Sequence, residues 1–556
     1  MKKKVISYIA STLSVAALLT GCTGAFEEMN TSPSGVTDEE LLQDNNYIGA
    51  HFPSMQKSIY YNRDGWGWDF QTIQNLTSDI WSGYMATPSF FLGGNDTQTY
   101  ILPSDWTDTF WNYTYDAIMV DQLKVQEKCE AMGMETYAHF NAINTIIRVF
   151  AMSRVVDEYG PIIYSKYGET MTGGTYDSAE DAYRLFFSEL TEASQVLNEY
   201  SQKESASFAA FDMAYNGDLT RWLKLCNTLR LRLALRVVKY DANWAKTEGE
   251  AAIAAPGGLL QSGEGFIVSG FEWKHPLYTC SIEYNDMFIS ANTKSILGGY
   301  NDPRLEKFGI AKKVTLKDGS TSDEILGVRS GIPNLDVLVD RYKAIIANIN
   351  VGVNTPGVVM SSAEPYFLLA EAALRGWNTG GTAKSYYEDG VRASFTEWGV
   401  SGVDEYLQSH AVPADFVDPL TVVANDGSDA ALEVVDLAAP NSIVAVSTVT
   451  PCWDDATTDE ERLEKIITQK WIAGFPEGKN AWAEWRRTGY PKLFPIRQNN
   501  SRGDTAIPTE LGVRRIPFIQ EEVNNNPEGY AQAVELLNGP DTGATRIFWD
   551  VDAPNF

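Results

Sequence analysis

The stretch from Tyr366 to Trp398, "YFLLAEAALRGWNTGGTAKSYYEDGVRASFTEW", limits most sharply what this chain can fold into. Its apolar residues recur at helical spacing on both sides of a Gly-rich turn, so it reads as two helices folded back on each other. Small Ala370, Ala373 and Ala383 stand where such helices must approach closely. Pro365 fits only a first helical turn, which makes Ser362 the expected N-cap.

A helix pair of this kind looks like one tetratricopeptide unit, whose period is ~34 residues with small residues at the packing positions. Residues 107–157 and 178–238 read as looser pairs. Phe140, Ile143, Ile147 and Phe150 recur three and four residues apart, as do Tyr183, Phe186, Leu190, Ala193 and Leu197, and Trp222, Cys226, Leu229 and Leu233. Ser178 before Asp181, Asp218 before Trp222 and Thr458 before Glu461 mark helix starts. The prediction is a mainly α chain: a tetratricopeptide-like helical scaffold with long loops and a few short strands or hairpins. Residues 256–335 are rich in Gly, Asn, Asp and aromatics, and 401–456 hold β-branched runs ("LTVV", "LEVV", "SIVAVSTVT") that suggest a loop or hairpin insertion. Loops this long are where a ligand is sought.

At the N-terminus, Lys2 to Lys4 precede an apolar run from Val5 to Leu19. Spanning a bilayer takes roughly 20 apolar residues, so this run reads as a secretory leader, residues 1–21. Leu19-Thr20-Gly21-Cys22 resembles a lipobox, in which the cysteine receives a diacylglyceryl group and its freed amino group is acylated. Two or three acyl chains anchor a protein stably where one does not, which makes Cys22 the expected tether to the membrane. Thr23 stands where an inner-membrane retention signal carries Asp, and Glu27 and Glu28 resemble surface-export signals. Residues 22–556 are expected to form one domain.

The formal net charge of -29 argues against nucleic acid and against lying flat on an anionic membrane; a neutral ligand suits it better. Cys129, Cys226, Cys280 and Cys452 contain no C-x-x-C, which excludes a dense disulfide scaffold or a zinc ribbon. No H-E-x-x-H, G-x-S-x-G, helix-opening G-x-G-x-x-G or EF-hand loop is present. His51, His139, His275 and His410 show no metal-ligand spacing and are expected in surface or core roles. No metal site or cofactor is therefore predicted, with bound calcium left open. Two carboxylates suffice for a glycosidase, so acid-pair chemistry stays a rival reading.

Six motifs in order carry a family resemblance: "FEEMNTSPSG" (Phe26–Gly35), "GDLTRWLKLCNTLRLRLALR" (Gly217–Arg236), "NDPRL" (Asn301–Leu305), "AEPYFLLAEAALRGW" (Ala363–Trp377), "KIITQKWIAGFPEGKNAWAEWRRTGYP" (Lys465–Pro491) and "RRIPFIQEEVNNN" (Arg514–Asn526). "FWD" at Phe548–Asp550 sits where related chains end on Trp-Trp-Asp. The chain resembles the SusD/RagB family of outer-membrane lipoproteins over nearly its whole mature length. Pro161, Ile163 and Ile519 depart from the family pattern. The resemblance implies one α-helical domain with four tetratricopeptide-like units. It also implies a non-catalytic surface lipoprotein that captures oligosaccharides, or in some members peptides, and passes them to a SusC-like TonB-dependent transporter. A structural transporter subunit without its own site is a further alternative.

Arg486 and Arg487 look like an anion site, but their motif is shared by members with different ligands, so they are expected to pair with acids while Trp482 and Trp485 pack. Arg232 and Arg236 share a helix face and are expected in ion pairs as well. The ligand candidates are aromatics in loop-like sequence: Trp66, Trp68, Trp81, Tyr84, Phe90, Phe91, Trp273 and Tyr278, with Tyr100 and Tyr284 beside them. If extended, Trp66 and Trp68 face one side about 6.6 Å apart, a spacing useful for sugar rings; otherwise they open the helix that continues through "FQTIQNL".

Overall fold

The structure, a computed structural model, describes residues 45–170, 174–333, 335–425 and 429–556. The leader, Cys22 and the Phe26–Gly35 motif lie outside the described residues. Residues 45–50 carry one helical turn, Asn46–Gly49. In the remainder, His51–Phe556, the scaffold helices are α1 (Val120–Met132), α2 (Met134–Tyr159), α3 (Ala179–Tyr200), α4 (Leu219–Arg236), α5 (Ala242–Ala254), α6 (Glu364–Leu374), α7 (Ala383–Glu397), α8 (Asp459–Gly474) and α9 (Gly478–Thr488). Consecutive members pack from α1 through α5, α6 packs on α7 and α8, and α8 on α9. Among the described residues no helix is long and apolar enough to cross a membrane.

Local chemistry starts and stops these helices. Ser178 Oγ accepts the Asp181 N–H, Asp218 caps α4 through the Thr220 and Arg221 amides, and Thr458 and Glu461 form a reciprocal capping box. Gly133 and Gly160, both at positive φ, end α1 and α2. Ser362 does not cap α6: Ala363 occupies the N-cap without a side-chain bond, while Ser361 and Ser362 both donate to Glu397 on α7. Of the three alanines expected where α6 and α7 meet, Ala370 is buried, while Ala373 and Ala383 are half-buried. Glycine is needed at Gly390, where a Cβ would stand 2.8 Å from the Phe367 ring.

Strands are few and short. β1 (Met85–Ala86) pairs antiparallel with β3 (Phe288–Ile289), β2 (Phe266–Val268) with β6 (Gly357–Met360), and β4 (Lys312–Thr315) with β5 (Thr321–Glu324) in a hairpin. Of the loop or hairpin insertion expected within 401–456, the described residues show the loop and an isolated antiparallel bridge between Phe416 and Ile443, with no paired strands. Most of that stretch is loop, and its "LEVV" run lies in a helix, Asp429–Ala438, whose Val434 and Ala438 bury against Phe288, Leu338 and Tyr342. Apolar residues three and four apart serve one face of a helix as well as β-branching serves a strand, and burial decided between them.

The core contains a charge network. Arg487 on α9 makes a bidentate pair with Glu371 on α6 (2.6 and 2.7 Å) and reaches Glu484 at 2.6 Å. Arg232 on α4 binds Glu364 on α6 at 2.8 Å. Arg236 approaches Asp157 on α2 and Glu484 on α9, and Lys470 on α8 lies 3.4 Å from both Glu364 and Glu484. Trp549, from the C-terminal "FWD", donates its indole N–H to Asp157 at 2.8 Å. Arg486 differs from the expectation of an acid partner: it lies 3.6 Å over the Trp482 ring and donates to the Arg514 carbonyl at 2.8 Å. Burial pulls its pKa to about 10.

Burial pushes the carboxyls of Glu364, Glu371 and Glu484 up, but the adjacent cations outweigh it and hold all three below the usual range. A depressed folded pKa contributes stability that is whole above the ordinary carboxyl value of 4.5 and is lost as pH falls through the folded value. Glu371→Gln is therefore expected to cost about 3–5 kcal/mol in chemical denaturation at neutral pH, because Arg487 loses its buried counter-charge. Its stability should also fall less steeply than that of the parent protein below about pH 4.5. An unchanged denaturation midpoint would mean the network is dispensable.

Candidate functional site

Trp66 occupies the N-cap of a short helix, Gly67–Phe70, with extended backbone, and Trp68 sits inside that helix. The extended pairing is thus replaced by a helix start, yet both rings remain outside: Trp66 is 67% and Trp68 44% exposed. Trp273, 48% exposed, comes from the long central loop. It lies against the backbone of Gly65, where a Cβ would stand 2.6 Å from its ring; Gly65 is also at positive φ, so glycine is required there twice over. Exposed Tyr284 reaches Gly67, whose missing Cβ would lie 3.2 Å from the phenol oxygen. Tyr278 is half-buried at the end of the turn Pro276–Tyr278 that leads toward Tyr284.

Beneath this surface, Trp68 meets the buried Trp106 edge to face at 6.5 Å, and Trp106 meets Phe91 at 5.5 Å. Trp106, on the short helix Ser104–Thr107, was not among the sequence candidates. It is the floor on which the exposed ring rests. Phe91 is half-buried, and Phe90 packs into the cluster of Phe288, Val328 and Leu338. Beside Phe91, Leu92 is exposed and held at φ 50°, followed by Gly93 and Gly94 also at positive φ. A branched residue in the left-handed region stores about 1–3 kcal/mol, and such strain clusters at binding loops.

Two of the candidates are core residues. Trp81 is buried, tilted on Trp482 at 4.7 Å, and donates its indole N–H to the Thr97 carbonyl at 3.1 Å. Tyr84 is buried against Trp471 and Phe475 and donates its hydroxyl to the Trp471 carbonyl. The cavity that Tyr84 lines is about 20 Å³, room for about one water and far too small for a sugar. Tyr100 is buried as well.

The loop that carries Trp273 is fixed at its root. Asn62 Nδ2 donates to the Lys274 carbonyl at 3.3 Å, and the His275 N–H donates to the Val353 carbonyl at 2.8 Å. His275 Nδ1 accepts the Leu277 N–H, which leaves Nε2–H to donate to Tyr60 Oη at 3.0 Å. Burial lowers its pKa to about 3, so the ring stays neutral. Polar groups flank the indoles: Asp64 accepts the Trp66 N–H at 3.2 Å, and exposed Glu272 and Lys274 border Trp273. Burial raises the pKa of Asp69 in the short helix, and the charge of Asp64 adds to the effect.

The arrangement offers flat apolar faces with carboxylates, Asp64 and Asp69 among them, at their edges. Larger clefts lie elsewhere among the described residues. One of about 430 Å³ is lined by Trp111, Tyr115, Tyr167 and Glu522, and one of about 290 Å³ by Trp81, Tyr100 and Trp485. Replacing Trp106 by Ala is expected to destabilise the protein by about 3–5 kcal/mol, the cost of an emptied aromatic site. Trp66→Ala should stay within about 0.5 kcal/mol of the parent, since an exposed ring outside the core carries little folding energy. Equal denaturation midpoints for the two variants would contradict the division into floor and surface.

A search of curated protein sequences finds no match. Among solved structures, a chitin-binding SusD homolog from Flavobacterium johnsoniae is similar at 40% identity and TM-score 0.83, covering 92% of this chain and 100% of its own. A SusD homolog from Bacteroides vulgatus is 36% identical at TM-score 0.81 (94% and 100% covered), and a SusD-like protein from Bacteroides thetaiotaomicron 30% identical at 0.79 (90% and 98%). The SusD-like profile, described as Susd and RagB outer membrane lipoprotein, matches residues 28–550. With that match over almost the whole length, and with its helical scaffold superposing on those of SusD homologues, the chain belongs to the SusD-like family.

Proposed function

We propose that this chain is a non-catalytic lipoprotein of the outer-membrane surface, tethered through Cys22, that captures oligosaccharides and hands them to a SusC-like TonB-dependent transporter. The observation that carries the reading is the set of exposed indoles, Trp66, Trp68 and Trp273, of which Trp68 rests on Trp106 and Trp273 on the Gly65 backbone. An exposed apolar patch of this kind marks a binding surface, and sugar C–H faces stack on such rings. Asp64 and Glu272 stand at the rim to accept hydrogen bonds from hydroxyl or amide N–H groups. The chitin-binding homologue at 40% identity favours β-linked N-acetylglucosamine oligomers as the ligand class. The net charge of -29 suits such an uncharged ligand.

In this reading Trp66 and Trp68, held at a helix start, and Trp273, seated on Gly65, need no rearrangement to receive a sugar. A preformed surface avoids the ordering cost that a mobile loop would add on binding. Membrane attachment keeps captured ligand near the transporter mouth, where high local concentration compensates a shallow site.

Isothermal titration with chitin oligomers tests this. Trp66→Ala, Trp68→Ala and Trp273→Ala are each expected to weaken binding about tenfold, near 1.4 kcal/mol, and the triple variant to abolish it. Undiminished binding by the triple variant would refute the site. Binding of peptides in place of glycans would refute the ligand class, and new reducing ends on incubation would refute the non-catalytic assignment.

A further inference from the structure

We propose that His410, Cys452 and Asp455 form a binding site for a thiophilic divalent cation, zinc above all, at the neck of the 401–456 region. One ligand atom from each residue, a ring nitrogen, a sulfur and a carboxylate oxygen, lies within 4.8 Å of the other two. Nitrogen, sulfur and oxygen in one small cluster are the donor set that zinc selects, and three protein ligands leave a position for water. Magnesium and calcium prefer all-oxygen shells and fit it poorly.

The cluster is built by tertiary structure. The Cys452 N–H donates to the Ser409 carbonyl at 3.1 Å, which locks the two segments side by side. Thr450 Oγ1 donates to Asp455 Oδ2 at 2.6 Å, and His410 Nδ1 stands 2.8 Å from the same oxygen and 3.0 Å from its partner. Beneath them Lys465 Nζ donates to the Thr450 carbonyl and hydroxyl and to the Cys452 carbonyl, at 2.7 to 2.8 Å. The neighbouring Asp454 is engaged by Lys384 at 2.7 Å and is not a competing ligand.

Access is consistent with a cation, and the Lys465 ammonium beneath is taken up by the Thr450 and Cys452 carbonyls. His410 is largely exposed and Asp455 partly so, while Cys452 forms the floor. An exposed His–Asp pair alone is worth little and gives no reason for a sulfur at its base. On binding, the Cys452 thiol releases its proton to water and the thiolate and Asp455 together balance the two positive charges. The cation would then join residues 409–410 to 452–455, the two ends of the long 401–456 excursion, as a cross-link that closes a loop.

The test uses the full chain with Cys22→Ser, so that this thiol does not compete. Zinc is titrated against a chromophoric chelator, and cobalt(II) is followed in the near ultraviolet. Expected are one equivalent of metal and a thiolate-to-cobalt charge-transfer band. Cys452→Ser should abolish the band, and His410→Ala should weaken binding at least tenfold; His410 is exposed, so this variant keeps the fold, checked by its melting in chelator. Absence of the band in the parent, or binding by both variants equal to the parent, overturns the proposal.

Discussion

The arrangement of the scaffold depends on the buried charges around Glu484. Its carboxylate is shared by Arg487 on its own helix, Arg236 on α4 and Lys470 on α8, while Glu371 and Glu364 on α6 take the remaining faces of Arg487 and Lys470. Removing such charges from water costs several kcal/mol per ion, recovered only when every partner is in place. The consequence is geometric. Only one mutual placement of α2, α4, α6, α8 and α9 pairs them all, so helices distant in sequence are held in one register. Around this centre apolar burial by Trp222, Trp482 and Trp549 supplies the larger driving force.

The helical part of this architecture was legible because its signals are local. Periodicity and the caps at Ser178, Asp218 and Thr458 depend on residues within a turn of each other, and the structure realises them. The ion pairs of Arg232 and Arg236 were foreseeable from a shared helix face in so acidic a chain, and that of Arg487 from the family motif around it. Where the partner was a backbone carbonyl or a ring, as for Arg486, composition held no clue. Ser362 failed as a cap because Glu397 on another helix claimed its hydroxyl. "LEVV" became helix because one of its faces met a core formed by distant residues.

The aromatic surface was half legible for a related reason. Loop-like polar sequence around an aromatic ring has two meanings, solvent or an internally satisfied core. Around Trp81 and Tyr84 the Ser, Thr and Asn residues bond buried backbone: Thr97 Oγ1 donates to the Leu76 carbonyl and Ser82 to that of Asp79. Such a loop is buried because it satisfies its own polar groups. Around Trp66 and Trp273 the charged neighbours Glu272 and Lys274 are exposed. Trp106 carried no signal beyond Pro103 and Ser104 opening a short helix, and its part as a floor arises from contacts with Trp68 and Phe91. His410 and Cys452 are likewise joined only by the fold.

Scaffold and surface thus divide the labour. A charge-locked helical array leaves little freedom to the loops rooted in it, and in the proposed reading these present indoles on which a neutral, ring-shaped ligand lies. The most direct test is a crystal structure of the protein soaked with a chitin oligomer. The account predicts pyranose rings stacked on Trp66, Trp68 and Trp273 with the backbone unmoved. Ligand density in the cleft of Trp111 and Tyr167, or in that of Tyr100 and Trp485, with the three indoles uncovered, would contradict it.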